Sequence, residues 1–87
     1  MTTKLKPEDI KVEKTITEIG YVYKSKYEYR YEIELLHIPT NIKAYYSAPN
    51  EITAMTNAIN ELNERVNAYL FFNEIPKENI IVKMTHS

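Results

Sequence analysis

The feature that most constrains this chain is a run of alternating residue types between Tyr27 and Ile38. Up to Leu35, the odd-numbered positions carry aromatic or apolar side chains, and the even-numbered positions carry charged ones. The odd-numbered residues are Tyr27, Tyr29, Tyr31, Ile33 and Leu35, and the even-numbered ones are Glu28, Arg30, Glu32 and Glu34. Because successive side chains of a β-strand point to opposite faces, this period of two predicts a strand with one apolar face and one charged face.

Three further segments are rich in the β-branched and aromatic residues that favour strands. They are Ile10–Lys24, Ile42–Ser47 and Ile80–Thr85. Polar residues at 24–26 and the sequence Pro39-Thr40-Asn41 predict the turns on either side of the second strand. The first six residues, Met1–Lys6, are predicted to form a loose basic tail.

The hydrophobic pattern also predicts how the first two strands pair. If Tyr23 lies opposite Tyr27 across a three-residue loop, Tyr21 lies opposite Tyr29, and the tyrosines of both strands share one face. A two-residue loop places Tyr23 opposite Glu28 and mixes the two faces, so the first register is favoured.

The second turn is predicted to place Ile38 opposite Ile42 and Leu36 opposite Ala44. In this register the even-numbered face changes from charged to apolar at Leu36. Two explanations stay open: a β-bulge near Leu35 restores the phase, or both faces of the sheet are partly covered. The apolar residues of the second face, predicted to form an oligomer interface, are Leu36, Ile38, Ile42 and Tyr46.

A helix is predicted to follow, with Ser47 or Asn50 as its N-terminal cap. The apolar residues after the cap are three or four positions apart, which is the spacing of one helix face. They are Ile52, Met55, Ile59, Leu62, Val66 and Tyr69. The helix is predicted to end near Asn73, before Pro76, with a length of about 35 Å. This stripe predicts packing on the chain's own sheet, and a helix shared between two subunits is the alternative.

These segments together predict one α+β domain over residues 1–87, with elements in the order β-β-β-α-β. The sheet is predicted to be antiparallel, with three or four strands and one long helix packed on it. The chain has 87 residues and no cysteine, so its core is thin and no disulfide or thiolate zinc site supports it. Its histidines, His37 and His86, lack metal-ligand spacing, so no metal or cofactor is expected. Association with further copies is the remaining source of stability, which predicts a homo-oligomer.

The residues also argue against catalysis. The chain has no cysteine nucleophile and no arguable Ser–His–acid arrangement, and Gly20 is its one glycine, so a phosphate-cradling loop is not possible. The formal net charge of −1 gives no general attraction to nucleic acid. Without a signal sequence or an apolar run of about 20 residues, no membrane partner is expected and the cytoplasm is the predicted location.

The candidate binding residues are aromatic and basic side chains around the first hairpin. They are Tyr21, Tyr23, Tyr27, Tyr29, Tyr31, Lys24, Lys26 and Arg30. Tyrosine suits protein interfaces and stacking on a base, and cations at a turn suit phosphate groups. The patch therefore predicts a partner protein or a small nucleotide ligand, with nucleic acid less favoured. Two simpler interpretations stay open: the tyrosines pack under the helix, and the basic turn is solvated.

In size and composition the whole chain resembles the small accessory proteins that phages of low-GC bacteria use against their hosts, including inhibitors of bacterial immunity. The resemblance rests on a length of 87 residues, a bias toward Lys, Asn, Ile, Tyr and Glu, one glycine and no tryptophan. The net charge of −1 departs from the strongly acidic nucleic-acid mimics in that group. The resemblance implies a non-enzymatic inhibitor that binds a host protein stoichiometrically in the host cytoplasm.

Overall fold

A computed structural model describes residues 3–22 and 26–86, and of residues 20–22, 26, 27 and 86 it describes the backbone alone. The strands are β1 (Thr3–Lys4), β2 (Ile10–Val22), β3 (Lys26–His37), β4 (Ile42–Ala48), β5 (Ala68–Tyr69) and β6 (Ile80–His86), and helix α1 (Glu51–Val66) follows β4. Single 3-10 turns lie at Pro7–Asp9, Phe72–Glu74 and Lys77–Asn79. The four long strands therefore begin and end within two residues of the predicted positions.

The four long strands form one mixed sheet in the order β4-β3-β2-β6. β3 is antiparallel to β2 and to β4, whereas β6 is parallel to β2. The α+β prediction is confirmed, but the prediction of a fully antiparallel sheet is wrong. The reason is the path of the chain: β4 runs in the direction of β2, and α1 runs back along β4. The chain then re-enters the sheet from the end at which β2 begins.

The pairing of β2 with β3 differs from the predicted register. Tyr21 lies opposite Tyr27 and not opposite Tyr29. The register shifts by one residue at Gly20, and glycine is common at a β-bulge because it has no side chain to pack. The other predicted pair, Tyr23 with Tyr27, involves a residue outside the described ranges.

β4 is paired one residue away from its predicted register. Leu35 lies opposite Ala44 and Ile33 opposite Tyr46, so the apolar residues of the two strands meet on one face. Leu36, predicted to pair with Ala44, lies on the other face. The pairing of β3 with β4 continues without a register shift, so the bulge near Leu35, one of the two explanations left open, is absent from these strands.

The core lies between α1 and one face of the sheet. Its buried apolar residues are Ile10, Val12, Ile33, Leu35, Ala44, Ala48, Ala54, Ala58, Ile59, Leu62, Leu70 and Ile75. Two of these alanines lie on β4 and two on α1, and such small side chains let a helix approach a sheet closely. The opposite face of the sheet is polar, with an ion pair between Glu13 and Lys83 and a hydrogen bond from the Tyr45 hydroxyl to Glu32.

Asparagine residues begin and end α1. The Asn50 side-chain oxygen accepts a hydrogen bond from the backbone N–H of Thr53 at 3.1 Å, which confirms one of the two predicted caps. Asn67 has left-handed backbone angles (φ 52°, ψ 46°), and its N–H closes the last turn. α1 therefore has 16 residues and a length of about 24 Å, and the predicted end near Asn73 is wrong.

The N-terminal segment is held against the segment that follows α1. β1 and β5 form a two-stranded parallel sheet, in which Thr3 pairs with Ala68 and Lys4 with Tyr69. The Lys4 ammonium also lies 2.8 Å from the carboxylate of Glu74. The prediction of a loose tail over residues 1–6 is therefore wrong for residues 3 and 4, and residues 1 and 2 lie outside the described ranges.

The molecule is elongated, with dimensions of 51 × 23 × 19 Å. α1 covers only the part of the sheet in which β2 begins and β3 ends. Its first residue, Glu51, lies above the middle of β2, where its carboxylate is 2.5 Å from the Lys14 ammonium. Beyond this point Tyr31 is half-buried and Tyr29 is exposed, so the far part of the β2–β3 hairpin extends past the helix.

Candidate functional site

An apolar groove lies between α1 and the segment 69–73 that follows it. Its volume is about 480 Å³, within the range of about 300–1,000 Å³ that is typical of ligand-binding clefts. It is lined by Ile52, Met55, Thr56, Ile59, Asn60, Asn63, Tyr69, Leu70, Phe71, Phe72 and Asn73. Apolar and aromatic side chains form most of this surface, and uncharged amide and hydroxyl groups form the rest.

One wall of the groove is a stripe along α1. Ile52, Met55 and Ile59 are three and four residues apart, so their side chains lie on the same side of the helix. The stripe was predicted to pack on the sheet along its whole length. Ile59 is buried, but Ile52, in the first turn of the helix, is 73% exposed. Ala54 and Ala58 belong to the buried core, and the prediction missed them because alanine gives a weak hydrophobic signal.

The other wall is aromatic and is held in place by backbone contacts. The backbone N–H of Leu5 donates to the carbonyl of Tyr69 at 2.9 Å, which adds to the pairing of β1 with β5. The rings of Tyr69 and Phe71 meet edge to face, with 6.3 Å between centroids and 70° between planes. Phe71 is nevertheless 62% exposed, so the chain itself leaves most of this ring uncovered.

Asn63 places a hydrogen-bonding group in this apolar surface. Its side-chain N–H donates to the carbonyl of Leu70 at 3.0 Å, which fixes the direction of the amide. Its side-chain oxygen is buried and accepts no hydrogen bond from any described residue.

The residues that line the groove are all uncharged. The groove therefore offers no cation to a phosphate group and no carboxylate, imidazole or amine to move a proton. Within the described ranges, no three His, Asp or Glu residues form a group that could hold a metal ion. Nor does any helix in that part of the chain have the length and apolarity to cross a membrane. The chemistry of the groove is that of a surface for neutral, apolar groups.

The predicted patch of tyrosines and cations is only partly brought together. Tyr29 and Tyr31 lie on the helix side of the sheet, near Pro49 at the turn before α1. Arg30 lies on the opposite face, where its Nε–H donates to the Ser47 hydroxyl at 2.7 Å. Because neighbouring residues of a strand point in opposite directions, Arg30 does not share a face with these two tyrosines.

The remaining residues of that patch are described only in part. The backbones of Tyr21 and Tyr27 lie opposite each other, but their side chains and that of Lys26 fall outside the described part of the chain. Tyr23 and Lys24 fall outside it altogether. The binding role of this patch therefore stays a prediction.

The four residues of the predicted oligomer interface do not form one surface. Ile42 and Tyr46 lie on the helix side of β4, whereas Leu36 lies on the opposite face of β3. Ile38 follows β3 and is 54% exposed. These residues were grouped through a register in which Ile38 opposed Ile42, but His37 occupies that position. Their part in a homo-oligomer stays a prediction.

The chain was also compared with known proteins. No family model, curated protein or solved structure matches it. The groove is therefore interpreted from its geometry and chemistry alone.

The groove was not predicted, although the sequence contains a signal for it. Leu70, Phe71 and Phe72 widen the apolar stripe of the predicted helix at its far end, and one face of a helix cannot bury three consecutive large side chains. The sequence pattern did not predict that the helix ends at Asn67. Because the chain reverses there, these three residues lie beside α1 and do not extend it.

Proposed function

We propose that the protein works by stoichiometric binding, and that the groove beside α1 takes an apolar segment of a partner protein. The observation that supports this function best is an exposed apolar and aromatic surface that also carries the polar side chains of Thr56, Asn60 and Asn73. Protein interfaces draw most of their affinity from a few large side chains in desolvated pockets, with polar groups that set the orientation. The groove has both parts.

The chemistry of the lining favours a peptide segment over a nucleotide. A peptide offers apolar side chains to Ile52 and Phe71 and backbone groups to the amides of Asn60 and Asn73. A nucleotide signal or a nucleic acid brings phosphate groups, and the lining residues include no cation to neutralise them.

A host protein as the partner agrees with the resemblance to small phage accessory proteins. In this proposal the protein inhibits a component of host immunity in the cytoplasm by occupying one of its surfaces, and it carries out no reaction. The uncharged lining supports binding without catalysis, because it holds no carboxylate, imidazole or amine to act as a general acid or base.

Selection of a random peptide library on the immobilised protein tests the proposal. The selected peptides are expected to carry large apolar or aromatic residues. They should bind Ile52→Asp and Phe71→Asp at least about tenfold more weakly than the wild type, because a carboxylate in an apolar groove must be desolvated. Ile38→Asp is the matched control, since Ile38 is 54% exposed and does not line the groove. Equal affinity for the wild type and both groove variants would place binding elsewhere.

Calorimetric titration separates the nucleotide alternatives from this proposal. We expect no binding of a cyclic dinucleotide or of short oligonucleotides. Tight binding of the dinucleotide alone would favour a sequestering protein. An affinity that rises with oligonucleotide length and falls steeply with salt would favour nucleic acid. Either result would contradict a function in peptide binding.

A further inference from the structure

The outer edge of β6 is a second unpartnered surface of the molecule. β6 lies at the end of the sheet, where β2 is its one neighbour among the described strands. An unpaired strand edge exposes a row of backbone N–H and C=O groups that can pair with another strand. β6 is therefore open to extension of the sheet.

The opposite edge of the sheet is protected. There α1 lies along β4, and the guanidinium of Arg65 donates to the backbone carbonyl of Lys43 at 2.6 Å. Arg65 is itself held by Glu61, whose carboxylate lies 2.5 Å from Nη2 of Arg65. An added strand would have to displace these contacts, so β4 is not an open edge.

The side chains of β6 include few of the features that keep strand edges apart. Val82 is 53% exposed and Met84 is 65% exposed, and both lie on the helix side of the sheet. Soluble proteins usually protect an exposed edge with charged side chains, proline or a bulge. Of these, positions 80 to 85 have only Lys83, which lies on the opposite face and is paired with Glu13 of β2.

The exposed area of the chain is larger than that of a compact monomer. The accessible surface is 5975 Å², whereas a folded monomer of 10.3 kDa has about 5,350 Å² on average. The difference is roughly 600 Å². Each partner buries roughly 500 Å² in the smallest specific interfaces and about 800 Å² in a standard one, so the difference lies between these two areas. A second copy that covered this surplus would give the chain the burial of an ordinary domain.

We propose that a second copy of the chain docks on β6, with the two β6 strands antiparallel across a two-fold axis at Val82. The two four-stranded sheets then form one continuous sheet, and each β6 becomes an interior strand. A two-fold interface uses the same surface on both subunits, so the exposed apolar row of β6 meets its own copy.

The side chains select the position of the axis. An axis perpendicular to the sheet keeps the helix sides of both subunits on the same side. Centred on Val82, it places the two Val82 residues opposite each other and Ile80 opposite Met84 of the other copy, which pairs apolar residues throughout the helix side. Centred on Lys83, it would place two lysines opposite each other, which is unfavourable.

The proposed dimer leaves the groove free, because no residue of β6 lines it. Peptides selected on the groove are therefore expected to bind a monomeric β6 variant as tightly as the wild type. Failure of the dimer and failure of the proposed function are thus separate results.

Sedimentation at tens of micromolar tests the dimer. The wild type is expected to sediment at twice the subunit mass of 10.3 kDa. Val82→Lys and Val82→Glu each place like charges at the axis and should be monomeric, whereas their mixture should recover the dimer because lysine then faces glutamate. Ile52→Lys is the matched control, outside β6, and should stay dimeric. A monomeric wild type or a dimeric Val82→Lys variant would overturn the proposal.

Single cysteines test the position of the axis without adding charge. The chain has no cysteine of its own, so a disulfide between subunits reports the introduced residue. Val82→Cys is expected to cross-link under mild oxidation, because the two residues face each other. Met84→Cys should not, since its two copies would lie about 13 Å apart along the strands. Cross-linking of Met84→Cys in place of Val82→Cys would overturn the proposed axis.

Discussion

At the scale of single residues, Ile52 and Leu62 show how one stripe of a helix divides between core and surface. Both occupy the apolar positions of α1 that recur every three or four residues. Leu62 is fully buried in the core, whereas Ile52 is exposed and lines the groove. The spacing along the sequence predicts the same role for both residues. They differ in the segment that packs beside each of them, which buries Leu62 and leaves Ile52 exposed in the groove.

Truncation of these two side chains should therefore have very different effects. Leu62→Ala is expected to lower the free energy of unfolding by about 2–5 kcal/mol, because it removes buried methyl groups and leaves a cavity. Ile52→Ala should change that free energy by less than about 0.5 kcal/mol. Urea denaturation followed by circular dichroism measures both values. A similar loss in the two variants would show that Ile52 is packed in solution.

At the scale of elements, Asn67 decides where α1 ends and where the groove begins. Its left-handed backbone reverses the chain, and the next two residues pair as a strand with Thr3 and Lys4. This pairing holds the aromatic wall beside the helix. The end of the helix thus depends on one local conformation and on a contact with the opposite end of the chain.

Two substitutions at Asn67 separate its backbone conformation from its side chain. Asn67→Leu is expected to lower the free energy of unfolding by about 1–2 kcal/mol, because a side chain with a bulky Cβ substituent disfavours left-handed angles. Asn67→Gly should stay within about 0.5 kcal/mol of the wild type, since glycine adopts these angles without strain. Chemical denaturation of both variants provides the comparison. Equal stabilities would mean that the left-handed conformation does not govern the end of the helix.

At the scale of the whole molecule, the sheet is longer than the helix that covers it. α1 packs over one part of the sheet, and the β2–β3 hairpin extends past it to give the 51 Å long axis. The covered part holds the buried residues Ile33 and Leu35 of β3, whereas Tyr29 lies beyond it and is exposed. Stability is therefore expected to be uneven along β3, because local opening is easier where few apolar contacts are broken.

Amide hydrogen exchange along β3 measures this difference. Amides between Ile33 and His37 are expected to exchange more slowly than those between Glu28 and Tyr31, by about tenfold or more, because the former lie under the core. The comparison is made on amides that donate to β2, because β2 pairs with both segments whereas β4 pairs only with residues 31–37. Uniform protection along β3 would show that the far part of the hairpin is covered in solution.

The sequence by itself determined where the four long strands lie and where the helix begins. Alternation in β3 and the enrichment of β-branched residues in β2, β4 and β6 place all four long strands, because these signals act within a few residues. The Asn50 cap is equally local, since its side chain bonds to a backbone group three residues away. Of the predicted binding residues, Tyr29 and Tyr31 share a face for the same reason, and Arg30 lies on the other face.

Only the tertiary structure decided how these elements pair and where the groove forms. Alternation remains intact when a strand slides by two residues, so the pattern did not distinguish the predicted pairing of Tyr21 with Tyr29 from the observed pairing with Tyr27. The direction of β6 depends on where α1 returns the chain to the sheet, and the second wall of the groove depends on the pairing of β1 with β5. Each of these features is stabilised by contacts between segments far apart in the chain, and a local sequence pattern carries no information about such contacts.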